Sequence, residues 1–228
     1  MTITQFKYVL ALDKFKNFTK AAKACNIAQP TLSMQINKLE KELGVSIFNR
    51  ESKPLETTKI GKKLIDQIEI ELVNLAVQDN KNEDFISASK RLYDAYLINP
   101  DKDENINYLY FAASSSVNGN DYQVALEYYN KLKKMNYTGI VSEYFITPVE
   151  TQIEEKVSET EYNLFKSSKD YTNQRVGKTE SRLPEIVKNI ALIYVQLGKT
   201  DMAVTAIEDA RKIRPDDLNL LLSEADLY

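Results

Sequence analysis

The stretch from Asn17 to Arg50 constrains this chain more than any other feature. It opens with Asn17-Phe18-Thr19, which breaks the preceding pattern, and Thr19 can then cap a short helix over Lys20–Cys25. Asn26-Ile27-Ala28 reads as a tight turn. Pro30 suits the first turn of the next helix, where a missing N–H costs nothing. Leu32, Ile36, Leu39 and Leu43 recur at spacings of four, three and four, which makes a buried stripe. Gly44 closes that helix as a C-terminal cap. Upstream, Thr4 is a candidate N-cap for a helix that carries Phe6, Val9 and Leu10 on one face. Downstream, Val45–Phe48 and Leu55–Thr57 read as short strands around the turn Glu51-Ser52-Lys53-Pro54. Thr58 then caps a long helix that begins at Lys59.

Two short helices, a tight turn, a third helix and a small hairpin make a winged helix-turn-helix. The third helix turns Gln29, Thr31, Ser33, Gln35 and Lys38 away from its apolar stripe. Gln, Ser and Thr can hydrogen-bond base edges or phosphates, Lys neutralises phosphate, and a helix N-terminus offers free N–H groups to an anion. Arg50 and Lys53 sit on the hairpin, within reach of a nucleic-acid backbone or minor groove. For any single residue the competing reading is a solvated polar side chain. Charge is split in the same sense. Residues 1–70 hold 12 Lys and Arg against 7 Asp and Glu, whereas residues 71–228 hold 18 against 26. A basic head on an acidic remainder directs a polyanion to the head.

The run Asn17-Phe-Thr-Lys-Ala-Ala-Lys-Ala-Cys-Asn-Ile-Ala-Gln-Pro-Thr-Leu-Ser-Met-Gln-Ile-Asn-Lys-Leu-Glu-Lys-Glu-Leu-Gly-Val-Ser-Ile-Phe-Asn-Arg50 strongly resembles the DNA-binding domain of LysR-type transcriptional regulators, most of all their peroxide-responsive OxyR branch. The resemblance covers about residues 1–66. It implies that Gln29, Pro30, Thr31, Ser33 and Gln35 lie on a recognition helix and that Arg50 and Lys53 belong to the wing. After the wing the family usually has Leu-Thr-x-Ala-Gly, whereas this chain has Thr57-Thr58-Lys59-Ile60-Gly61. The family dimerises through the helix after the wing, which points to a homodimer. Here Ile65, Ile68, Leu72 and Leu75 keep the spacings three, four and three of a coiled-coil seam. The family's long α/β effector domain, which would hold the peroxide-sensing cysteine pair, is not matched by residues 80–228. Cys25 reads as a small buried residue rather than a sensor.

The second half reads as helix pairs and resembles a tetratricopeptide-repeat protein, whose pattern recurs about every 34 residues. One register runs Leu72, Leu75, Ala76, Asp79, Ala88, Leu92, Ala95, Pro100, and a second Leu109, Ala112, Ala113, Ser116, Ala125, Tyr129, Leu132. A third, the best, runs Val187, Ile190, Ala191, Tyr194, Ala203, Ile207, Ala210, Pro215, and a fourth begins with Leu221, Ala225 and Tyr228. An ordinary helical bundle is the alternative. Leu72 and Leu75 belong both to the seam and to the first register, and one stripe cannot face a partner helix and its own repeat. An insertion at about 139–183 fits neither repeat helix; Tyr144–Val149 reads as a strand or hairpin limb, and Ser167–Ser181 as a mobile polar loop. Ser114-Ser115-Ser116 reads as helix packing rather than a nucleophile.

The expected fold class is therefore mainly α, with a winged helix-turn-helix at 1–66 and an α-α repeat array at 67–228. The chain contains no histidine and one cysteine, which removes Ser-His-Asp and Cys-His catalysis, an intrachain disulfide and any cysteine-rich metal site. No enzyme, cofactor or metal is expected. Neither a long apolar span nor a signal-peptide core is present, so no membrane is expected as a partner and the expected location is the cytoplasm. The partners expected are double-stranded DNA, a second copy of the chain, and a protein or peptide in the repeat groove. The competing reading is a repeat scaffold with an inactive helix-turn-helix. The combination suits a fragment, a fusion, or an artificial join of two families.

Overall fold

Asn17, not Thr19, starts the second helix: its side-chain oxygen accepts the Lys20 N–H at 2.9 Å. An Asx side chain held two residues earlier satisfies an orphan first-turn donor, so the helix begins at once. A computed structural model describes residues 3–213, 215–216 and 218–225. Tyr228, the last residue of the fourth register, lies outside the described residues. The chain divides into two compact units, Met1–Ala125 and Leu126–Tyr228.

In the first unit, α1 (Ile3–Phe15), α2 (Phe18–Ala24) and α3 (Gln29–Leu43) are followed by a two-stranded antiparallel hairpin. Its strands β1 (Phe48–Asn49) and β2 (Glu56–Thr57) are shorter than the sequence predicts. Thr4 lies inside α1 rather than capping it. Gly44 ends α3 in the left-handed conformation, as expected. Val9, Leu12, Ala21, Ala22, Leu32, Ile36 and Leu39 are buried together with Ile47, Phe48 and Leu55 of the hairpin region. The alanines at 21 and 22 let α2 approach this core closely. Leu43 is 41% exposed, because the stripe leaves the core as α3 reaches its end.

Long α4 (Lys59–Lys81), α5 (Phe85–Ile98) and α6 (Asp103–Asn118) complete the packed helices of this unit. Thr58 caps α4 as expected, its hydroxyl accepting the Gly61 N–H at 2.9 Å. A Cβ at Gly61 would stand 2.2 Å from the Ile47 carbonyl oxygen, so glycine is what lets α4 start against the hairpin. Ile65 joins the core of the first three helices, while Ile68, Leu72 and Ala95 of α5 form a second cluster with Phe6, Ile98 and Tyr108 against it. Across α5 and α6, Ser89 donates to the Ala112 carbonyl at 2.9 Å and pairs with Ser116 at 2.6 Å. Ser115 donates to Asn80 at 3.0 Å, so the serine run serves helix packing.

The second unit follows the start of α7 (Tyr122–Lys134). Strands β3 (Ser142–Pro148), β4 (Glu155–Val157) and β5 (Tyr171–Lys178) form an antiparallel sheet in the order β4-β3-β5, with α8 (Glu159–Phe165) between β4 and β5 in sequence. The strand expected at Tyr144–Val149 is β3. The mobile loop expected at Ser167–Ser181 is instead largely β5, paired to β3 from Ser142↔Lys178 to Pro148↔Tyr171. Arg175 of β5 stacks over Phe145 at 3.9 Å and donates two hydrogen bonds to Glu154, at 2.7 and 2.6 Å. Helices α9 (Leu183–Gln196) and α10 (Thr200–Ile213) then pack through Val187, Ala191, Ile207 and Ala210, and α11 (Leu218–Ala225) follows.

Candidate nucleic-acid interface

The stripe that buries Leu32, Ile36 and Leu39 leaves the opposite face of α3 in water. Pro30, Thr31 and Lys38 are exposed there, Ser33 and Gln35 flank the face half-buried, and Gln29, in line with the stripe, is exposed because it opens the helix. A shallow concavity of about 810 Å³ runs along this face, lined by Gln29, Pro30, Ser33, Asn37, Lys38 and Lys41 among others. Met34 also lines it and is 59% exposed. Sequence reasoning that looked for polar residues passed over Met34 and Asn37. The signal was present: both fall opposite the buried stripe at 100° per residue. No side chain caps the N-terminus of α3, whose N-cap is Ala28, so its first-turn N–H groups face outward without a side-chain acceptor.

Glu40 links this helix to the hairpin. Its carboxylate accepts the N–H groups of Ile47 at 2.7 Å and Phe48 at 3.1 Å. Arg50 donates to the same carboxylate at 2.9 Å and lies 5.2 Å from the centre of the Phe18 ring. It braces the hairpin against α2 and α3. On the other side, Lys16 donates to Thr57 at 2.8 Å and pairs with Asp13, which also accepts from Thr57. Lys53 stands exposed in the hairpin turn, and among the described residues no carboxylate lies within 4 Å of its ammonium group. Thus the structure brings Gln29, Pro30, Thr31, Ser33, Gln35 and Lys38 onto one helix, leaves Lys53 at the hairpin tip, and ties Arg50 inward.

Residues 3–62 match the model of the bacterial regulatory helix-turn-helix protein, lysR family. They form a LysR-type helix-turn-helix domain. Over 67 residues the chain is 46% identical to the hydrogen peroxide-inducible genes activator of Haemophilus influenzae, covering 29% of this chain and 22% of that protein. Over the same length it is 45% identical to the DNA-binding transcriptional dual regulator OxyR of Escherichia coli, with the same coverage. A crystal structure of the BenM DNA-binding domain with catB site 1 DNA is 38% identical, with a TM-score of 0.31, and the match covers 36% of this chain and 90% of that one. The chain thus spans about a fifth of the length of the curated relatives it matches.

The LysR-type domain is joined to α4 in a way the sequence left open. Ile65, Ile68 and Leu72, read as a dimer seam, are 6%, 2% and 5% exposed within this one chain. Leu75 is half-buried. Within this one chain Ile65 packs into the domain's own core, and Ile68 and Leu72 pack with Ala95 of α5. Cys25 is only half-buried, at the C-cap of α2, and its surroundings push the thiol pKa up. Among the described residues no group of three His, Cys, Asp or Glu side chains could hold a metal ion, and no helix is long and apolar enough to cross a membrane.

Proposed function

We propose that the chain is a sequence-specific DNA-binding transcription regulator, in which α3 enters the major groove of double-stranded DNA and the helices beyond α4 form an interaction module. The observation that carries this reading is the outward face of α3 inside a LysR-type domain, with Thr31, Ser33 and Lys38 turned away from the buried Leu32, Ile36 and Leu39, and Gln29 exposed at the first position of the helix. In this reading Gln29 hydrogen-bonds a base edge, and Lys38, which stands 3.8 Å from Glu42 one turn on, neutralises a phosphate. The two serve binding, not catalysis. Homologous regulators carry the same domain, which supports transcription control as the use of that binding.

The interaction module is the finer part of the proposal. Small residues stand where paired helices meet, Ala88 and Ala95 on α5, Ala112 and Ala113 on α6, and Ala191, Ala203 and Ala210 on α9 and α10, all buried. This supports repeat-like helix pairs that present a groove to a protein or peptide. A second copy is not needed for one head to read one half-site.

Fluorescence anisotropy of the whole chain with labelled duplex DNA tests the proposal, at two salt concentrations, beside a Gln29→Ala/Lys38→Ala double variant. Binding that weakens steeply with salt and is lost in the variant is the expected result. No binding at low salt by a folded chain overturns it and leaves the helix pairs as the functional part.

A further inference from the structure

A second concavity in the first unit lies away from the recognition face. It has a volume of about 570 Å³ and opens between α1, the end of α2 and α5. That volume falls within the range of small-molecule sites. Lys7, Leu10, Ala11 and Lys14 recur on α1 at i, i+3, i+4 and i+7, so one helical face gives the pocket an apolar middle with a cation at each end. Phe15 beside them and Leu97 of α5 add apolar wall.

The charges in the pocket do not balance. Asp94 of α5 is its one carboxylate, and it faces Lys7 at 3.5 Å. Lys14 has no carboxylate within 4 Å among the described residues; its ammonium group lies 5.9 Å from the Phe15 ring centre. One cation is therefore left over at the mouth of an apolar cleft. We propose that this pocket binds a small monocarboxylate with an apolar tail, the carboxylate on Lys14 and the tail against Leu10, Phe15 and Leu97. Acid and tail are both required: a doubly charged anion would place its second charge near Asp94, and a neutral apolar molecule would leave Lys14 unanswered. Because the walls come from both the LysR-type domain and α5, the ligand touches the two elements together.

Cys25 lines the same pocket and is the chain's only cysteine, so its alkylation reports on this site alone. Burial raises its thiol pKa, so the assay runs at mildly alkaline pH. The whole chain is titrated with sodium octanoate by calorimetry, and Cys25 alkylation by iodoacetamide is timed with and without it. One octanoate per chain is expected to bind and to slow alkylation. Lys14→Gln is expected to weaken that binding about tenfold, the loss of one charge-assisted hydrogen bond. Lys169→Gln, which removes an equal charge from the second unit, is expected to leave it unchanged. Both lysines are exposed, so both variants keep their fold. Unchanged alkylation in millimolar octanoate overturns the proposal. So does octanoate binding that Lys14→Gln and Lys169→Gln weaken equally.

Discussion

Glu40 shows how much one side chain can organise. Its carboxylate accepts two backbone N–H groups at the base of the hairpin and holds Arg50 as well. Removing it leaves those donors without a protein acceptor, which costs about 1–3 kcal/mol. Glu40→Ala is therefore expected to lower Tm and to speed hydrogen exchange at the Ile47 and Phe48 amides, with α5 and α6 little changed. Asp94 works in the other direction. Burial holds its carboxyl above the usual carboxylate range, outweighing Lys7, Lys90 and Arg91, which pull it down. Between the unfolded and folded pKa the folded chain binds more protons than the unfolded one. Its contribution to stability is thus complete below the unfolded pKa and is lost as pH rises through the raised one. Asp94→Asn is expected to melt above the parent at neutral pH, with the gap closing below about pH 4. A gap that does not change with pH contradicts this.

At the scale of elements, the decisive case is α4. A charge placed at Ile68 would be buried between α4 and α5 without a partner, a loss of several kcal/mol. Ile68→Asp is expected to unfold the first unit in a thermal melt. A folded, soluble protein of reduced oligomeric mass by light scattering would instead restore the seam to a partner chain. The sequence foretold that Ile65, Ile68 and Leu72 are buried, since periodicity reports a covered face. It could not say what covers that face, because a partner helix and α5 demand the same spacing. The core of α3, the Gly44 cap and the Thr58 cap were legible for a similar reason: each rests on a local rule. Strand β5 was not legible. It is mostly exposed and polar, with no alternating apolar face, and it exists through pairing with β3, about 30 residues earlier. The outward residues of α3 were legible as a polar set, whereas Met34 was hidden by its own chemistry. Arg50 was legible as a basic residue of the hairpin but not as a brace, since only the folded chain brings Glu40 and Phe18 to it.

For the whole molecule, net charge is −3, but only the first 70 residues are basic. Affinity for DNA should therefore depend on a few cations and fall steeply with salt. Lys53 at the hairpin tip is expected to carry one phosphate contact. Lys53→Ala should lower the slope of log affinity against log salt by about 0.9, with equal effect on every duplex sequence. An unchanged slope would remove Lys53 from the interface. One consequence of α4 is mechanical. Its 23 residues make a rod about 34 Å long. One end is pinned at the hairpin by Thr58 and Gly61, and α5 packs along it from Leu64 and Ile98 near that end to the Asp79–Arg91 ion pair at the other. Such a rod is a lever with no joint in it. A tilt of about 5° about the Asp79 end of the rod would carry the hairpin through about 3 Å, the difference between touching a DNA backbone and missing it.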